Sequence, residues 1–145
     1  MEIPQLVDYK IRINAPISKV WEALTNPALM KLWMSDFEMQ ISTNWEVGSE
    51  ILVSGDLHGI PFQNKGIIIQ FEPEKLLQYT YWSTLSEQED IPENYSLITI
   101  QLSPEDNNTN LHLTQSNFIA YTTFKHWEFY WNVTLYILKK FVENM

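Results

Sequence analysis

The sequence predicts an α+β fold in which an antiparallel sheet carries its helices on one face. Apolar and polar residues alternate with a period of two through most of residues 37–117, as in half-buried strands. The links between these segments are short and turn-like, and short links join antiparallel neighbours. Apolar residues instead recur every three or four positions over 17–33 and 122–144, which indicates helices before and after the sheet segment.

The first predicted element is a strand, and two short helices follow it. Residues 7–13 alternate apolar and polar positions until Asn14-Ala15-Pro16 interrupts the pattern. Residues 17–24 then place four apolar side chains at i, i+3, i+4 and i+7, which favours a helix with Pro16 or Ser18 in its first turn. The sequence Thr25-Asn26-Pro27 ends this helix and begins the next, whose apolar positions are Leu29, Leu32 and Trp33.

Six further strands are predicted between the helical segments. Their link 83–94 is the longest and carries four acidic residues, and we expect a solvated loop there rather than a metal site. Segments 66–71 and 76–82 have apolar residues on both faces, so the pattern leaves open which face of each is buried. The predicted strands are 37–41, 50–54, 62–71, 76–82, 95–102 and 110–115, with turns at 46–49, 55–59, 72–75 and 104–108.

The last predicted element is a long amphipathic helix over 122–144. At about 1.5 Å per residue it is roughly 30 Å long, which is enough to cross a small sheet. A chain of 145 residues buries enough surface to fold without a metal or disulfide, and we expect a single domain over residues 1–145. The apolar stripe of the helix consists of Trp127, Trp131, Thr134, Leu138 and Val142.

Composition argues against several classes of partner. Nine Lys and Arg stand against eighteen Asp and Glu, which gives a formal net charge of −9, and Arg12 is the single arginine. Such a chain repels polyanions, so we expect neither nucleic acid nor an anionic membrane as a partner. The sequence has no apolar run of membrane-spanning length, no secretory signal and no cysteine, and we expect a cytoplasmic location.

The sequence contains no evident motif for catalysis or cofactor binding. His58 lies in a glycine-containing turn, and His112 is expected to face solvent because it alternates with two leucines. His126 has no carboxylate nearby in the sequence to orient it. Zinc-site spacing and phosphate-binding glycine loops are absent. We therefore expect no metal, no cofactor and no catalytic residue, although the sequence leaves open whether the protein is an enzyme.

The motifs nevertheless resemble a known family. Val47-Gly48-Ser49, the segment 66–81 and the end of the final helix follow the opening motif in the order that the family shows. The chain resembles the START-like (SRPBCC) superfamily end to end, and within it the activator of heat-shock protein 90 ATPase homologue-like family. The opening motif is Ile11-x-Ile13-x-Ala15-Pro16-x-x-x-Val20-Trp21-x-Ala23-Leu24-Thr25-x-Pro27, followed by Leu32-Trp33.

This resemblance implies a helix-grip fold, in which a curved seven-stranded antiparallel sheet grips the C-terminal helix and leaves a cavity for a small apolar ligand. Three residues depart from the family pattern. His126 stands where glycine is common, Tyr81 where tryptophan is usual and Trp131 where an aliphatic residue is usual. Because these positions lie on elements that line the family's cavity, the identity of the ligand does not carry over from relatives.

We predict a binding domain that holds a small apolar or aromatic molecule between sheet and helix, because wide aromatic side chains rarely fill such a space completely. The resemblance implies two alternatives: a polyketide cyclase or aromatase-like enzyme using Tyr79, Tyr81 and His126, and a co-chaperone that stimulates a heat-shock protein ATPase. A homodimer is left open. The predicted lining residues are Trp33, Phe37, Ile51, Val53, Tyr79, Tyr81, His126, Trp127, Trp131 and Leu135.

Overall fold

The computed structural model of the chain describes residues 5–35 and 38–145, which form a curved seven-stranded antiparallel sheet with a long helix against it. The strands are β1 (Leu6–Ile13), β2 (Met39–Ser42), β3 (Glu50–Leu57), β4 (Ile60–Glu72), β5 (Leu76–Ser83), β6 (Ser96–Glu105) and β7 (Asn108–Ser116). The helices are α1 (Ile17–Thr25), α2 (Pro27–Trp33) and α3 (Tyr121–Glu143), with short 3-10 turns at Thr84–Ser86 and Pro92–Asn94.

The strand order is β1-β7-β6-β5-β4-β3-β2, so the first two strands of the chain lie at opposite edges of the sheet. Consecutive strands from β2 to β7 pair directly, and β1 closes the order by pairing with β7. The helices α1 and α2 occupy the connection between the two edges. The predicted α+β class and the helix-grip architecture are confirmed.

The core lies between α3 and the inward face of the sheet. Leu138 and Val142 of α3 are completely or almost completely buried, as are Leu113 of β7 and Ile98 of β6. At one end Trp21 of α1 packs on Phe71 of β4, with ring centroids 5.3 Å apart. The stripe that the helical spacing predicted on α3 is therefore the face that this helix buries.

Strands β3 and β4 are longer than predicted, because they meet in a two-residue turn rather than in a five-residue link. His58 and Gly59 both have positive φ, 52° and 91°, as a type I′ hairpin turn requires. Glycine adopts this conformation freely, and the Asp56 carboxylate accepts a hydrogen bond of 2.5 Å from the Gly59 amide. The predicted loop 55–59 is wrong for this reason, and His58 is an exposed turn residue.

A β-bulge decides the question that the alternating pattern left open on β4 and β5. The register shifts between Ile68 and Gln70, so one extra residue of β4 faces β5. Ile68 is completely buried and Phe71 packs against the core cluster, so both side chains lie on the inward face. On β5, Leu77 is buried and Tyr79 packs against the same core cluster. The two apolar faces in the sequence reflect this change of phase.

Candidate functional site

A cavity of about 520 Å³ lies between the sheet and α3. Strands β2 to β6 supply one wall, α3 supplies the opposite wall, and the end of α2 closes one side. The volume falls within the range of roughly 300–1,000 Å³ that is typical of small-molecule sites. Its lining includes Met30, Met34, Met39, Ile51, Val53, Phe62, Asn64, Tyr79, Tyr81, Ile98, Trp127, Tyr130 and Trp131.

Trp127 is the centre of the helical wall. Its ring centroid lies 5.0 Å from that of Tyr81 on the sheet wall and 5.1 Å from that of Tyr130 on the same helix, and both pairs of rings are nearly perpendicular. It also lies 6.4 Å from Trp131, one turn further along α3. These tilted and edge-to-face contacts are the favoured geometry for aromatic pairs, so the wall presents fixed aromatic surfaces to the cavity.

Trp131 is held in place by a buried chain of hydrogen bonds. Its Nε1 donates to Gln115 Oε1 at 2.7 Å, and Gln115 Nε2 donates to Ser96 Oγ at 3.0 Å. Gln115 is completely buried. Both ends of the Gln115 amide are therefore used to fix the tryptophan within the core.

Tyr130 is a lining residue that the sequence reasoning missed. Its hydroxyl donates to the carbonyl oxygen of Met34, just after α2, at 2.9 Å. Burial raises the pKa of Tyr130 to about 12, so the phenol stays protonated at neutral pH. Tyr130 therefore ties the helical wall to the end of α2 that closes the cavity.

Tyr79 and Tyr81 place two phenols on the sheet wall. Burial raises the pKa of both, and the neighbouring Tyr130 adds to the shift in each case. The Tyr81 hydroxyl lies close enough to Ser83 for a hydrogen bond that partly opposes the shift. The Tyr79 hydroxyl forms no hydrogen bond with the residues that the structure describes. Both groups are neutral donors at physiological pH.

Asn64 is the second lining residue with unused hydrogen-bonding capacity. It lies on the inward face of β4, opposite Val53 of β3 and Ser83 of β5. Its Oδ1 is buried and has no hydrogen-bond partner within residues 5–35 and 38–145. Asn64 lies in the predicted strand 62–71, but nothing in the alternating pattern marks an asparagine there as a binding residue.

The mouth of the cavity is formed by exposed residues of α3 and of the turn after β5: Thr123, His126, Leu85 and Ser86. The His126 ring packs edge-on against Trp127 at 5.5 Å. His126 therefore lies at the entrance rather than deep within the cavity.

The acidic loop that follows the turn is tied to the sheet. Asp90 forms an ion pair with Lys65 of β4 and accepts a hydrogen bond of 2.5 Å from the Tyr95 hydroxyl. These two partners, Lys65 first, lower the pKa of Asp90. The loop is exposed, as expected, but it is anchored beside the cavity mouth by these contacts.

Seven of the predicted lining residues line the cavity: Ile51, Val53, Tyr79, Tyr81, His126, Trp127 and Trp131. Trp33 and Leu135 lie in the core instead, where Trp33 Nε1 donates to the carbonyl oxygen of Ala23 at 2.9 Å. Phe37 lies outside the described residues. The residues that the sequence missed include three methionines and Phe62, whose contribution depends on strand pairing rather than on spacing along the chain.

The described residues offer little for acid–base or metal chemistry. His112 pairs with Asp8 at 2.7 Å on the outer face of the sheet, away from the cavity lining, so the expectation that it faces outward is confirmed. Within the described residues no three His, Asp or Glu side chains come together as a metal site. None of the helices traced in those ranges combines the length and apolar character needed to cross a bilayer.

Comparison with known proteins gives a consistent picture. A family model for "Activator of Hsp90 ATPase homolog 1-like protein" matches residues 14–143, whereas no curated protein matches the chain. The solution structure of ChR145 from Cytophaga hutchinsonii is similar, with 41% identity, a TM-score of 0.85, and coverage of 99% of this chain and 97% of that one.

Two further solved structures have the same fold. MLL2253 from Mesorhizobium loti has 24% identity and a TM-score of 0.79, with 97% of this chain and 98% of that chain covered. The Aha1 dimer from Colwellia psychrerythraea has 26% identity and a TM-score of 0.74, with 95% and 96% covered.

Proposed function

The chain belongs to the family of activator of Hsp90 ATPase homolog 1-like proteins, and within that family we propose that it binds a small apolar or aromatic molecule in the cavity between the sheet and α3. The observation that carries this proposal is the cavity of about 520 Å³ whose walls are mainly aromatic and aliphatic. Protein interiors are otherwise close-packed, so a space of this size lined by side chains held in place indicates a binding site.

The hydrogen bonds of the walls support binding over simple loose packing. Trp131 is fixed through Gln115, and Tyr130 is fixed through the Met34 carbonyl. A pocket that keeps its shape before the ligand arrives loses less conformational entropy on binding. His126 is the one imidazole among the described lining residues, and no Asp or Glu in that lining is available to orient it, which favours binding over catalysis.

Titration with Nile red, an uncharged dye whose emission rises in apolar surroundings, tests the proposal. Val53→Phe fills part of the cavity and should weaken dye binding about tenfold or more. Val47→Phe makes the same change at an exposed position in the turn before β3, outside the cavity lining, and should leave the affinity unchanged. Equal affinities in both variants, or no binding to the unaltered protein, would contradict the proposal.

A second candidate concerns association of two copies. Beyond the first turn of α3, four large apolar side chains are exposed at the spacing i, i+4, i+7 and i+8, with Phe129 the most exposed at 71%. An apolar patch of this kind on a helix commonly marks an interaction surface. The Colwellia relative forms a dimer. Light scattering after gel filtration should then report a dimer that Phe129→Lys converts to a monomer. A monomeric unaltered protein at high micromolar concentration would rule it out. The patch consists of Phe129, Val133, Tyr136 and Ile137.

A further inference from the structure

Asn64, half-buried on β4, differs from the fully buried polar side chains of the core. Gln115 pairs with both Trp131 and Ser96, and the Thr109 hydroxyl donates to the Ala15 carbonyl at 2.9 Å. The Asn64 side chain lines the cavity, and its buried Oδ1 has no donor among the described residues. Leaving a buried acceptor unpaired costs stability, and native structures contain few such groups. An unpaired amide oxygen in a cavity wall therefore indicates that a hydrogen-bond donor binds there.

The surroundings of Asn64 limit the chemistry of that partner. Val53 faces it on β3 with an apolar side chain, and the Ser83 opposite it on β5 accepts a hydrogen bond from the Leu85 amide at 3.1 Å. The Ser83 hydroxyl makes no hydrogen bond with Asn64 Oδ1, so neither neighbour supplies the donor. A molecule in the cavity can supply it through an O–H or N–H group, since the cavity is the side of β4 to which Asn64 contributes.

The charged residues of the cavity lining narrow the chemical class of the ligand further. Lys65 is the sole Lys, Arg, Asp or Glu among the described lining residues, and its ammonium group pairs with Asp90 and lies over the Trp82 ring at 5.6 Å. It is therefore engaged at the surface rather than available to balance a buried anion. An ion without a partner is strongly disfavoured in such an interior.

We infer that Asn64 determines the specificity of the cavity by selecting an uncharged, largely apolar or aromatic ligand whose polar end donates a hydrogen bond to its side-chain oxygen. This inference rests on the proposed binding function. It adds that the ligand is neither a plain hydrocarbon nor a carboxylate. Tyr79, whose hydroxyl is also unpaired among the described residues, offers a donor to an acceptor on the same ligand.

Two naphthalene probes that differ in one group test the inference by isothermal titration calorimetry. 2-Naphthol carries an O–H donor, whereas 2-methoxynaphthalene has the same ring system without the donor. The ratio of their dissociation constants is measured for the unaltered protein and for Asn64→Leu, which keeps the side-chain size but removes the acceptor. The preference for 2-naphthol should fall about tenfold in the variant. Asn132→Leu, on an exposed position of α3, should preserve the preference.

The failures of the two proposals are distinguishable. If both probes bind and their ratio is the same in the unaltered protein and in Asn64→Leu, the role of Asn64 is wrong although the binding function stands. If neither probe nor Nile red binds the unaltered protein, the binding function is wrong and the inference falls with it. Retained binding of 2-methoxynaphthalene shows that Asn64→Leu is folded. If Asn64→Leu does not fold, Asn64→Val is used in its place and is expected to lower the preference for 2-naphthol in the same way.

The melting temperature of Asn64→Leu separates a binding role of Asn64 from a structural one. Removing an unpaired polar group from apolar surroundings should leave the melting temperature of Asn64→Leu equal to or above that of the unaltered protein. A clear fall in melting temperature would show that the amide supports the fold, which would overturn the inference.

Discussion

Replacing Gln115 by leucine tests whether the buried hydrogen-bond chain holds the cavity wall in place. Leucine has a similar volume, so packing changes little, but the Trp131 Nε1 donor and the Ser96 hydroxyl both lose their 2.7 Å and 3.0 Å contacts. A buried donor without a partner costs about 1–3 kcal/mol, and the serine hydroxyl adds less because it can rotate. We expect a loss of about 2–3 kcal/mol in the free energy of unfolding.

Urea unfolding followed by circular dichroism measures this loss, and thermal unfolding should show a melting temperature lower by roughly 6–12 °C for a chain of this size. Gln101→Leu is the matched control, because Gln101 is exposed on the outer face of β6 and should change stability by less than about 0.5 kcal/mol. Adding Trp131→Phe to Gln115→Leu removes the orphaned donor and should recover part of the loss. A Gln115→Leu variant as stable as the control would refute the reasoning.

Two further predictions concern the sheet wall. Gly66→Ala should destabilise the protein by several kcal/mol or prevent folding, because a Cβ there collides with the Thr80 backbone carbonyl. At Gly59 an added Cβ meets open space, so Gly59→Ala should cost only about 1–2 kcal/mol for its positive φ. Equal losses of stability on urea unfolding of the two variants would contradict this prediction. Burial raises the pKa of Tyr79 and Tyr130 above the usual value of 10.0, so the unfolded chain loses these protons first. Stability should therefore hold below pH 10 and fall as pH rises above it, less steeply in Tyr79→Phe, and an unchanged slope in that variant would count against a buried phenol.

The sequence was sufficient for the architecture because periodicity reports burial directly. The alternation in β1 and the stripe from Trp127 to Val142 on α3 each follow the faces that the structure buries. Where the alternation changes phase within a strand, it no longer shows which side chains face the core. The bulge between Ile68 and Gln70 shifts the phase of β4 by one residue, and only the pairing with β5 shows where this occurs.

The candidate site was predictable in its aromatic part and much less so in the rest. Trp127 and Trp131 could be assigned to a wall because a helical stripe must face the sheet. Phe62 could not, since its position in the cavity depends on its pairing with Gly55 across the hairpin. Trp33 has an equally suggestive sequence position, but its indole donates to the Ala23 carbonyl, and this hydrogen bond places it in the core.

The two inward-facing amides show why sequence alone does not separate a structural group from a binding group. Asn64 and Gln115 both lie in phase with the inward-facing residues of their strands, β4 and β7. Gln115 is satisfied by a tryptophan sixteen residues later in the chain and by a serine on the neighbouring strand. Asn64 faces a valine and a serine, and its Oδ1 accepts a hydrogen bond from neither. The difference lies in hydrogen-bond partners that only the folded chain brings together. A polar residue within a buried strand face therefore becomes evidence of function only once its possible partners have been accounted for.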